Sequence, residues 1–199
     1  MNLYIAVAIP IIVAFILSAV LGPVIIPFLR KLKFGQTVRD DGPQSHLKKN
    51  GTPTMGGIIF LISVIITSCI YVKDYPQIIP ILFVTVGFGV IGFLDDYIKI
   101  VLKRSEGLTP SQKMFGQILV TGVFAIYMYK FSGISMDVII PFFPGETLDL
   151  GFLTIPVMFL AIIGTVNGVN FTDGLDGLAT SVTIMVAVFF GVVALGVGS

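Results

Sequence analysis

Six long apolar stretches constrain this chain more than any other feature of its sequence. They cover approximately residues 3–29, 56–72, 78–95, 114–130, 151–168 and 178–198. A helix needs roughly 20 apolar residues to cross a bilayer, and only helices or closed β-barrels can cross one. These runs are too long and too unbroken for barrel strands. The sequence therefore predicts an all-α integral membrane protein, with six transmembrane helices in a single domain over residues 1–199.

The composition agrees with a membrane environment. Hydrophobic residues make up 55% of the chain and charged residues 12%, whereas soluble domains carry about 25% charged residues. The first apolar stretch has no basic segment before it and is too long for a secretory signal, so we expect it to be a membrane helix. Cys69 is the only cysteine, which excludes an internal disulfide and suits a small apolar position in a helix.

Basic residues are distributed unevenly between the predicted helices. Ten of the twelve precede the second helix or lie between the third and fourth, and the other two are Lys73 and Lys130. Basic loops stay in the cytoplasm, and alternation of the helices then assigns the remaining segments. The predicted cytoplasmic loops are 30–55, 97–113 and 167–177, and the predicted external hairpin is 131–150, a short β-hairpin. Both ends of the chain are predicted to be external.

Two acidic clusters lie at the ends of apolar stretches on the predicted cytoplasmic side. Asp95 and Asp96 end the third stretch, and Asp173 and Asp176 follow the fifth. A carboxylate in a membrane helix costs roughly 2.5 to 3.5 kcal/mol, so these residues need an explanation. The first pair is either a Mg²⁺ site or an interfacial pair that water solvates and Lys99 partly neutralises. If the acidic site is crowded, removing one charge should relieve repulsion.

The second cluster belongs to a polar series with a fixed spacing. Asn167, Asn170, Asp173 and Asp176 recur every three residues, which places them on one face of a helix or of a loop that enters one. The spacing does not match a calcium-binding EF-hand loop. Thr172 or Asp173 is alternatively a cap of the sixth helix. The neighbouring glycines allow backbone N–H groups to approach a phosphate or a uracil edge.

Basic residues of the cytoplasmic loops have two interpretations. Lys48 and Lys49 precede a Gly/Pro-rich entry to the second helix, where they contact phosphate or anionic headgroups, or only flank the membrane. Lys113 begins the fourth helix, where it either contacts phosphate or only extends its ammonium from the helix to the membrane interface by snorkelling. His46 suits a solvated loop position better than a ligand position.

Three of these segments together resemble the polyprenyl-phosphate N-acetylhexosamine-1-phosphate transferases. The segments are Gly51–Gly57 (GTPTMGG), Leu94–Lys99 (LDDYIK) and Asn167–Ala179. The resemblance implies ten transmembrane helices, dependence on Mg²⁺ and a cytoplasmic cleft. The first segment is closest to the branch that transfers phospho-MurNAc-pentapeptide from its UDP carrier to undecaprenyl phosphate, which yields lipid I and UMP for peptidoglycan synthesis. The sister branch that transfers N-acetylglucosamine-1-phosphate is the weaker match.

The resemblance also implies roles for individual residues. The implied catalytic residues are Asp95, Asp96 and Asp173, and the implied metal ligands are Asp95 and Asp96. The implied substrate-binding residues are Lys49, Thr54, Lys113, Asn167, Asn170, Gly174, Leu175 and Asp176. By the same resemblance, Asn170 and Asp173 would line the pyrophosphate region, Lys49 and residues 174–176 would approach the uridine, and Lys113 would approach the phosphates.

The chain departs from the family in one respect. A Gly-Asp-x-Gly-Ser segment with a metal-binding Asp, and a later His-rich loop, are absent from these 199 residues. We therefore expect an N-terminal part of a longer enzyme, a further metal ligand beyond residue 199, and no activity from this part alone.

The expected setting is the bacterial cytoplasmic membrane, with the active face in the cytoplasm. The expected partners are UDP-MurNAc-pentapeptide, undecaprenyl phosphate and the bilayer, with no nucleic acid and with a homodimer left open. Outside enzymes, the alternatives are half of a transporter or an assembly scaffold. A transporter should place its charges near the bilayer midplane, whereas these charges gather at one interface.

Overall fold

The computed structural model describes residues 3–31, 54–101, 107–140, 146–175 and 177–197. Within it the chain forms two compact units, one of Val7–Val120 and the other of Met1–Ala6 with Thr121–Ser199. Most of the predicted loop 30–55, including Lys49, lies outside the described residues, as does Asp176.

Six α-helices account for most of the described residues, and each coincides with one of the predicted apolar stretches. In chain order they are α1 (Leu3–Lys31), α2 (Gly57–Tyr71), α3 (Ile78–Val101), α4 (Pro110–Lys130), α5 (Thr154–Thr172) and α6 (Leu178–Val197). A short 3₁₀ helix, Gly151–Leu153, precedes α5. The predicted all-α architecture is confirmed.

Four of these helices are long and apolar enough to cross a membrane. These spans are Ile5–Lys31, Ile78–Ile100, Gly151–Thr172 and Leu178–Gly196. Helix α2 is apolar but has 15 residues, which reach about 22 Å at 1.5 Å per residue, against a hydrocarbon core of about 30 Å. Helix α4 has 21 residues, but Gln112, Lys113 and Gln117 lower its hydropathy. Membrane crossing by α2 and α4 therefore stays a prediction.

Close contacts through glycines hold α3 in the unit formed by Val7–Val120. A Cβ atom added at Gly89 would lie 2.7 Å from Leu61 Cδ1 on α2, and one added at Gly87 would lie 2.8 Å from Val120 Cγ1 on α4. Small residues at such contacts let membrane helices approach closely and gain van der Waals packing. Helix α3 thus packs on both α2 and α4, and this fixes the position of the acidic pair near its C-terminal end.

Large apolar side chains remain exposed on most helices of the described chain. On α6, for example, Met185, Phe189 and Phe190 are all exposed, and the membrane window of this helix is 0% buried. Water would disfavour an apolar surface of this extent, but lipid is as apolar as these side chains. The exposed surface therefore agrees with a lipid environment.

Two short strands precede α5 in the unit that contains Thr121–Ser199. Strand β1 (Val138–Ile139) pairs antiparallel with β2 (Thr147–Leu148), with Val138 opposite Leu148. The predicted hairpin turn at Pro144-Gly145 lies outside the described residues. Farther along, α5 and α6 pack against each other, and the connection between them ends at Gly177, whose φ of +81° favours glycine.

Cysteine labelling tests whether α4 crosses the membrane. Ser111 and Ser135 are both exposed; Ser111 lies in the first turn of α4, and Ser135 lies five residues beyond its last residue, Lys130. In a Cys69→Ser background, Ser111→Cys should react with a membrane-impermeant maleimide only from the cytoplasmic side, and Ser135→Cys only from the outside. Inverted and right-side-out vesicles make the comparison. Labelling of both positions from one side would remove α4 from the membrane-crossing helices and overturn the predicted alternation.

Candidate functional site at the end of α3

The acidic pair lies in the last two turns of α3. The membrane span ends at Ile100 and the helix at Val101, so Asp95 and Asp96 lie near the end of the span. A helix C-terminus carries partial negative charge, which makes two further carboxylates unfavourable unless cations compensate them. The identity of those cations therefore determines what the site can do.

Asp95 is surrounded by hydrogen-bond donors on both of its carboxylate oxygens. Oδ2 accepts from Lys99 Nζ at 2.7 Å and from Lys113 Nζ at 3.1 Å. Oδ1 accepts from the backbone N–H of Leu108 at 2.9 Å. The side chain of Asp95 is 9% exposed, so these donors replace the water that burial removes.

Asp96 has a different environment from Asp95. Its side chain is 42% exposed, and its Oδ1 lies 3.5 Å from Lys99 Nζ. A weak pair of this kind contributes little to stability. Because the side chain of Asp96 is exposed, it is accessible to a ligand. The interpretation that Lys99 partly neutralises the acidic pair is confirmed. The expectation of repulsion in a crowded acidic site is wrong for Asp95, because lysines surround it.

A capping box explains why Lys113 reaches Asp95. Thr109 Oγ1 accepts from the N–H of Gln112 at 3.3 Å, and Gln112 Oε1 accepts from the N–H of Thr109 at 3.0 Å. This reciprocal pair starts a helix, and Pro110 occupies the first helical position, where its missing N–H has no cost. Lys113 is therefore held in the first turn of α4, with its side chain 26% exposed and its ammonium directed to Asp95.

The polar residues of the second cluster lie at the C-terminal end of α5. Asn167 donates from Nδ2 to the carbonyl of Ile163 at 2.8 Å, and Asn170 is exposed one turn later. Asp173 occupies the C-cap position, its N–H bonds to Val169 O, and its side chain is exposed. The alternative in which Asp173 caps the sixth helix is therefore wrong, because Asp173 ends α5.

The same correction applies to Thr172, whose hydroxyl donates to Gly168 O at 2.8 Å within α5. Gly174 and Leu175 follow in an exposed turn, and the N–H of Leu178 bonds to Leu175 O at the start of α6. Asp95, Asp96 and Asp173 thus all lie near helix C-terminal ends. That they converge in one cleft stays a prediction.

The residues that precede α2 adopt a constrained backbone. Met55 is buried and has a φ of +67°, a region that side chains with a Cβ rarely enter. Its carbonyl accepts from the N–H of Ile58 as α2 begins, and the neighbouring Thr54 is half-buried. The sequence reasoning did not identify Met55, since a positive φ at a non-glycine residue has no sequence signal.

A divalent cation fits one of the two carboxylates. Mg²⁺ takes one or two carboxylates and completes its coordination with water and phosphate oxygens. Asp96 is exposed enough to serve as such a ligand, whereas Asp95 has both oxygens occupied by donors. No group of three or more His, Cys, Asp or Glu residues forms in the described part of the chain. The described site therefore combines one accessible carboxylate with two ammonium groups, a set suited to a phosphate with its counterion.

Comparison with known proteins identifies two matching segments. Residues 78–199 match the family described as Glycosyl transferase family 4. Residues 49–61 match signature 1 of phospho-N-acetylmuramoyl-pentapeptide-transferase. The first match includes α3 to α6 with both acidic clusters, and the second includes Lys49, Thr54 and Met55.

Curated relatives carry the name phospho-N-acetylmuramoyl-pentapeptide-transferase. The relative from Acetivibrio thermocellus is 54% identical over 92% of this chain and 56% of its own length. The relative from Clostridium perfringens strain SM101 is 48% identical over 94% of this chain and 58% of its own. The relative from Clostridioides difficile is 51% identical over 89% of this chain and 55% of its own. The chain thus spans somewhat over half the length of these relatives.

Proposed function

Because this chain belongs to glycosyl transferase family 4, we propose that it transfers phospho-MurNAc-pentapeptide from UDP-MurNAc-pentapeptide to undecaprenyl phosphate, with release of UMP. The observation that carries the proposal is the cluster of Asp95, Asp96, Lys99 and Lys113 at the end of a membrane helix. Both proposed substrates carry phosphates, and one of them is a lipid. A site at the membrane interface brings them together. The names of the relatives support MurNAc-pentapeptide as the sugar group that is transferred.

The lysines have the first role in this proposal. Lys99 and Lys113 are partly exposed, at 40% and 26%, so each ammonium can turn from Asp95 to a phosphate oxygen. Charge-assisted hydrogen bonds of this kind are about twice as strong as neutral ones. The lysines would orient the pyrophosphate and offset charge as the UMP leaving group departs.

The carboxylates have complementary roles. Asp96 would hold a divalent cation, which we propose to be Mg²⁺, and Asp95 would join it once phosphate has drawn the lysines away. Such a cation polarises phosphate oxygens and offsets their charge when bound.

The remaining predicted residues would bind the donor. Asn170 and Asp173 would line the pyrophosphate, with Asp173 also assigned to the catalytic set. The residues proposed to contact the rest of the substrates are Lys49, Thr54, Asn167, Gly174, Leu175 and Asp176. The exposed turn at residues 173–175 supports this role, because its backbone is accessible to a ligand.

The proposed chemistry is direct attack. An oxygen of the lipid phosphate bonds to the β-phosphorus of the donor, and the bond from that phosphorus to the oxygen of UMP breaks. A phosphate monoester is mostly dianionic at neutral pH because its second pKa is about 6, so the attack needs little help from a base. Catalysis is then largely a matter of position and charge. A covalent aspartyl intermediate is the alternative.

Two other functions compete with this proposal. The sister reaction transfers N-acetylglucosamine-1-phosphate, and the match of residues 49–61 to the pentapeptide-transferase signature disfavours it. Half of a transporter or a scaffold would not need lysines paired with carboxylates at one helix end. The proposed setting is the cytoplasmic membrane with the active face inward, where the product would enter peptidoglycan synthesis. A second copy of the chain is a further candidate partner, in a homodimer.

A donor assay tests the proposed function. The 199-residue chain is compared with a chimera that adds the C-terminal part of the Acetivibrio thermocellus relative, both in detergent with undecaprenyl phosphate and Mg²⁺. We expect lipid-linked product only from the chimera and only with UDP-MurNAc-pentapeptide. Efficient use of UDP-N-acetylglucosamine would move the protein to the sister reaction. Absence of product with either donor, from a folded chimera, would contradict the proposal.

A further inference from the structure

We propose that Gly107 and Leu108 form a clamp that positions the carboxylate of Asp95, an inference that rests on the proposed function of that carboxylate. These two residues precede α4 and do not belong to the predicted site set. Whereas Lys99 and Lys113 donate to Oδ2 of Asp95, Gly107 and Leu108 lie against its Oδ1. They are positioning residues, because they act through Asp95.

Space requires glycine at position 107. A Cβ atom added there would lie 2.5 Å from the backbone oxygen of Asp95 and 2.5 Å from its Oδ1. It would also lie 2.9 Å from Lys99 Cε. The lysine carbon can move, but the backbone oxygen belongs to α3 and is fixed by the helix. Any larger residue must therefore push the chain before α4 away from Asp95.

The close approach at Gly107 makes the next hydrogen bond possible. The N–H of Leu108 donates to Asp95 Oδ1 at 2.9 Å, while Oδ2 accepts from both lysines. Rotation of the carboxylate plane away from this orientation would turn both oxygens out of line with their donors. The bond from Leu108 thus fixes the carboxylate plane and leaves Oδ2 for the lysines.

The clamp continues into the start of α4. Thr109 follows directly and forms the capping box with Gln112, which holds Lys113 in the first turn. Three consecutive residues therefore set both the orientation of Asp95 and the position of one lysine that pairs with it. In contrast, the clamp makes no described hydrogen bond to the exposed Asp96.

Carboxylate labelling tests the clamp without a need for activity. The 199-residue chain is treated with a water-soluble carbodiimide and a small amine, and modification of each aspartate is measured by peptide mass spectrometry. Gly107→Ala should raise the modification rate of Asp95 about tenfold, as expected from the loss of a hydrogen bond to a charged group. Leu108→Pro keeps the glycine but removes the donor, and it should have the same effect.

The controls separate a local effect from general loosening. Gly92→Ala lies on α3 with open space around its Cβ and should leave every rate unchanged. Asp96 is the internal reference and should keep its wild-type rate in all variants. An unchanged rate at Asp95 in both variants would overturn the clamp. A joint rise at Asp95, Asp96 and Asp173 would also overturn it, since that result indicates unfolding.

An activity measurement in the chimera connects the clamp to catalysis. Gly107→Ala should lower kcat with little change in KM for the donor, and it should add little further loss in an Asp95→Asn background, because coupled residues are not additive. Full additivity would overturn the positioning role. If the chimera is inactive with wild-type sequence, the proposed function fails, but the labelling result still decides whether the clamp exists.

Discussion

Asp95→Asn in the chimera with the C-terminal part of the Acetivibrio thermocellus relative is expected to lower formation of lipid-linked product by about a hundredfold to a thousandfold, the usual effect of removing one preorganised electrostatic group. The variant keeps the shape of the side chain but loses its negative charge, to which two lysines and a backbone N–H donate hydrogen bonds. We expect kcat to carry most of the loss. Initial rates measured with a radiolabelled donor check this expectation.

The Asp95→Asn variant should also be less stable than wild type, because the Asp95 carboxylate lies between two ammonium groups. Lys99 and Lys113 both lie within 3.1 Å of the same oxygen, so removal of its charge leaves them without compensation. The loss of unfolding free energy should be about 1 to 3 kcal/mol, between the values for exposed and buried pairs. Unfolding in detergent by denaturant measures it.

Control variants distinguish catalysis from folding. Adding Lys99→Met to Asp95→Asn removes one of the uncompensated charges, and it should restore stability without restoring activity. Asp137→Asn, at an exposed position before β1, should change neither property. Recovery of activity together with stability would show that Asp95 is structural, and the assignment to the catalytic set would then be wrong.

Neutralising both lysines is expected to strengthen binding of a divalent cation. In the structure, ammonium groups occupy the carboxylate that a cation would share with Asp96, so lysines and cation compete. Two unit charges 4 Å apart interact by about 4 kcal/mol at an effective dielectric constant of 20. Solvent exposure of the lysines reduces this value. We expect Lys99→Met with Lys113→Met to lower the Kd for Mn²⁺ about tenfold or more, as measured by electron paramagnetic resonance.

The matched control for this measurement is Lys130→Met, at the other end of α4 from Lys113. It removes the same charge from the same helix and should leave the Kd unchanged. High salt should reduce the difference in the Kd for Mn²⁺ between wild type and the double variant, since salt screens exposed charges. An unchanged Kd in the double variant would show that the lysines do not compete with the cation.

The local physics of apolar runs explains why the helices could be predicted. Each of the six helices coincides with a predicted stretch, but their bounds differ in a regular way. Helix α3 extends past the predicted residue 95 to Val101, and α4 begins at Pro110 rather than at 114. Hydropathy measures the part of a helix that lipid can cover, whereas the helix continues as long as its backbone bonds and caps allow.

The sequence by itself determined which residues bear charge beside the membrane, and it identified Lys99 as a partner of the acidic pair. This pairing could be predicted from the sequence because Lys99 lies one helical turn after Asp95. Lys113 was identified as a site residue through the resemblance, but nothing in the sequence indicated its bond to Asp95. Nothing in the sequence indicated that Gly107 and Leu108 contact Asp95.

Tertiary structure alone decided the environment of Asp95. Leu108 and Lys113 lie 13 and 18 residues farther along the chain, and they reach the carboxylate because α4 packs on α3. Glycine contacts such as that between Gly87 and Val120 permit this packing. Spacing along one helix predicts neighbours within a turn, but contacts between helices depend on shape and on the loop that joins them. The apparent acidic site is therefore one in which two lysines compensate the buried carboxylate.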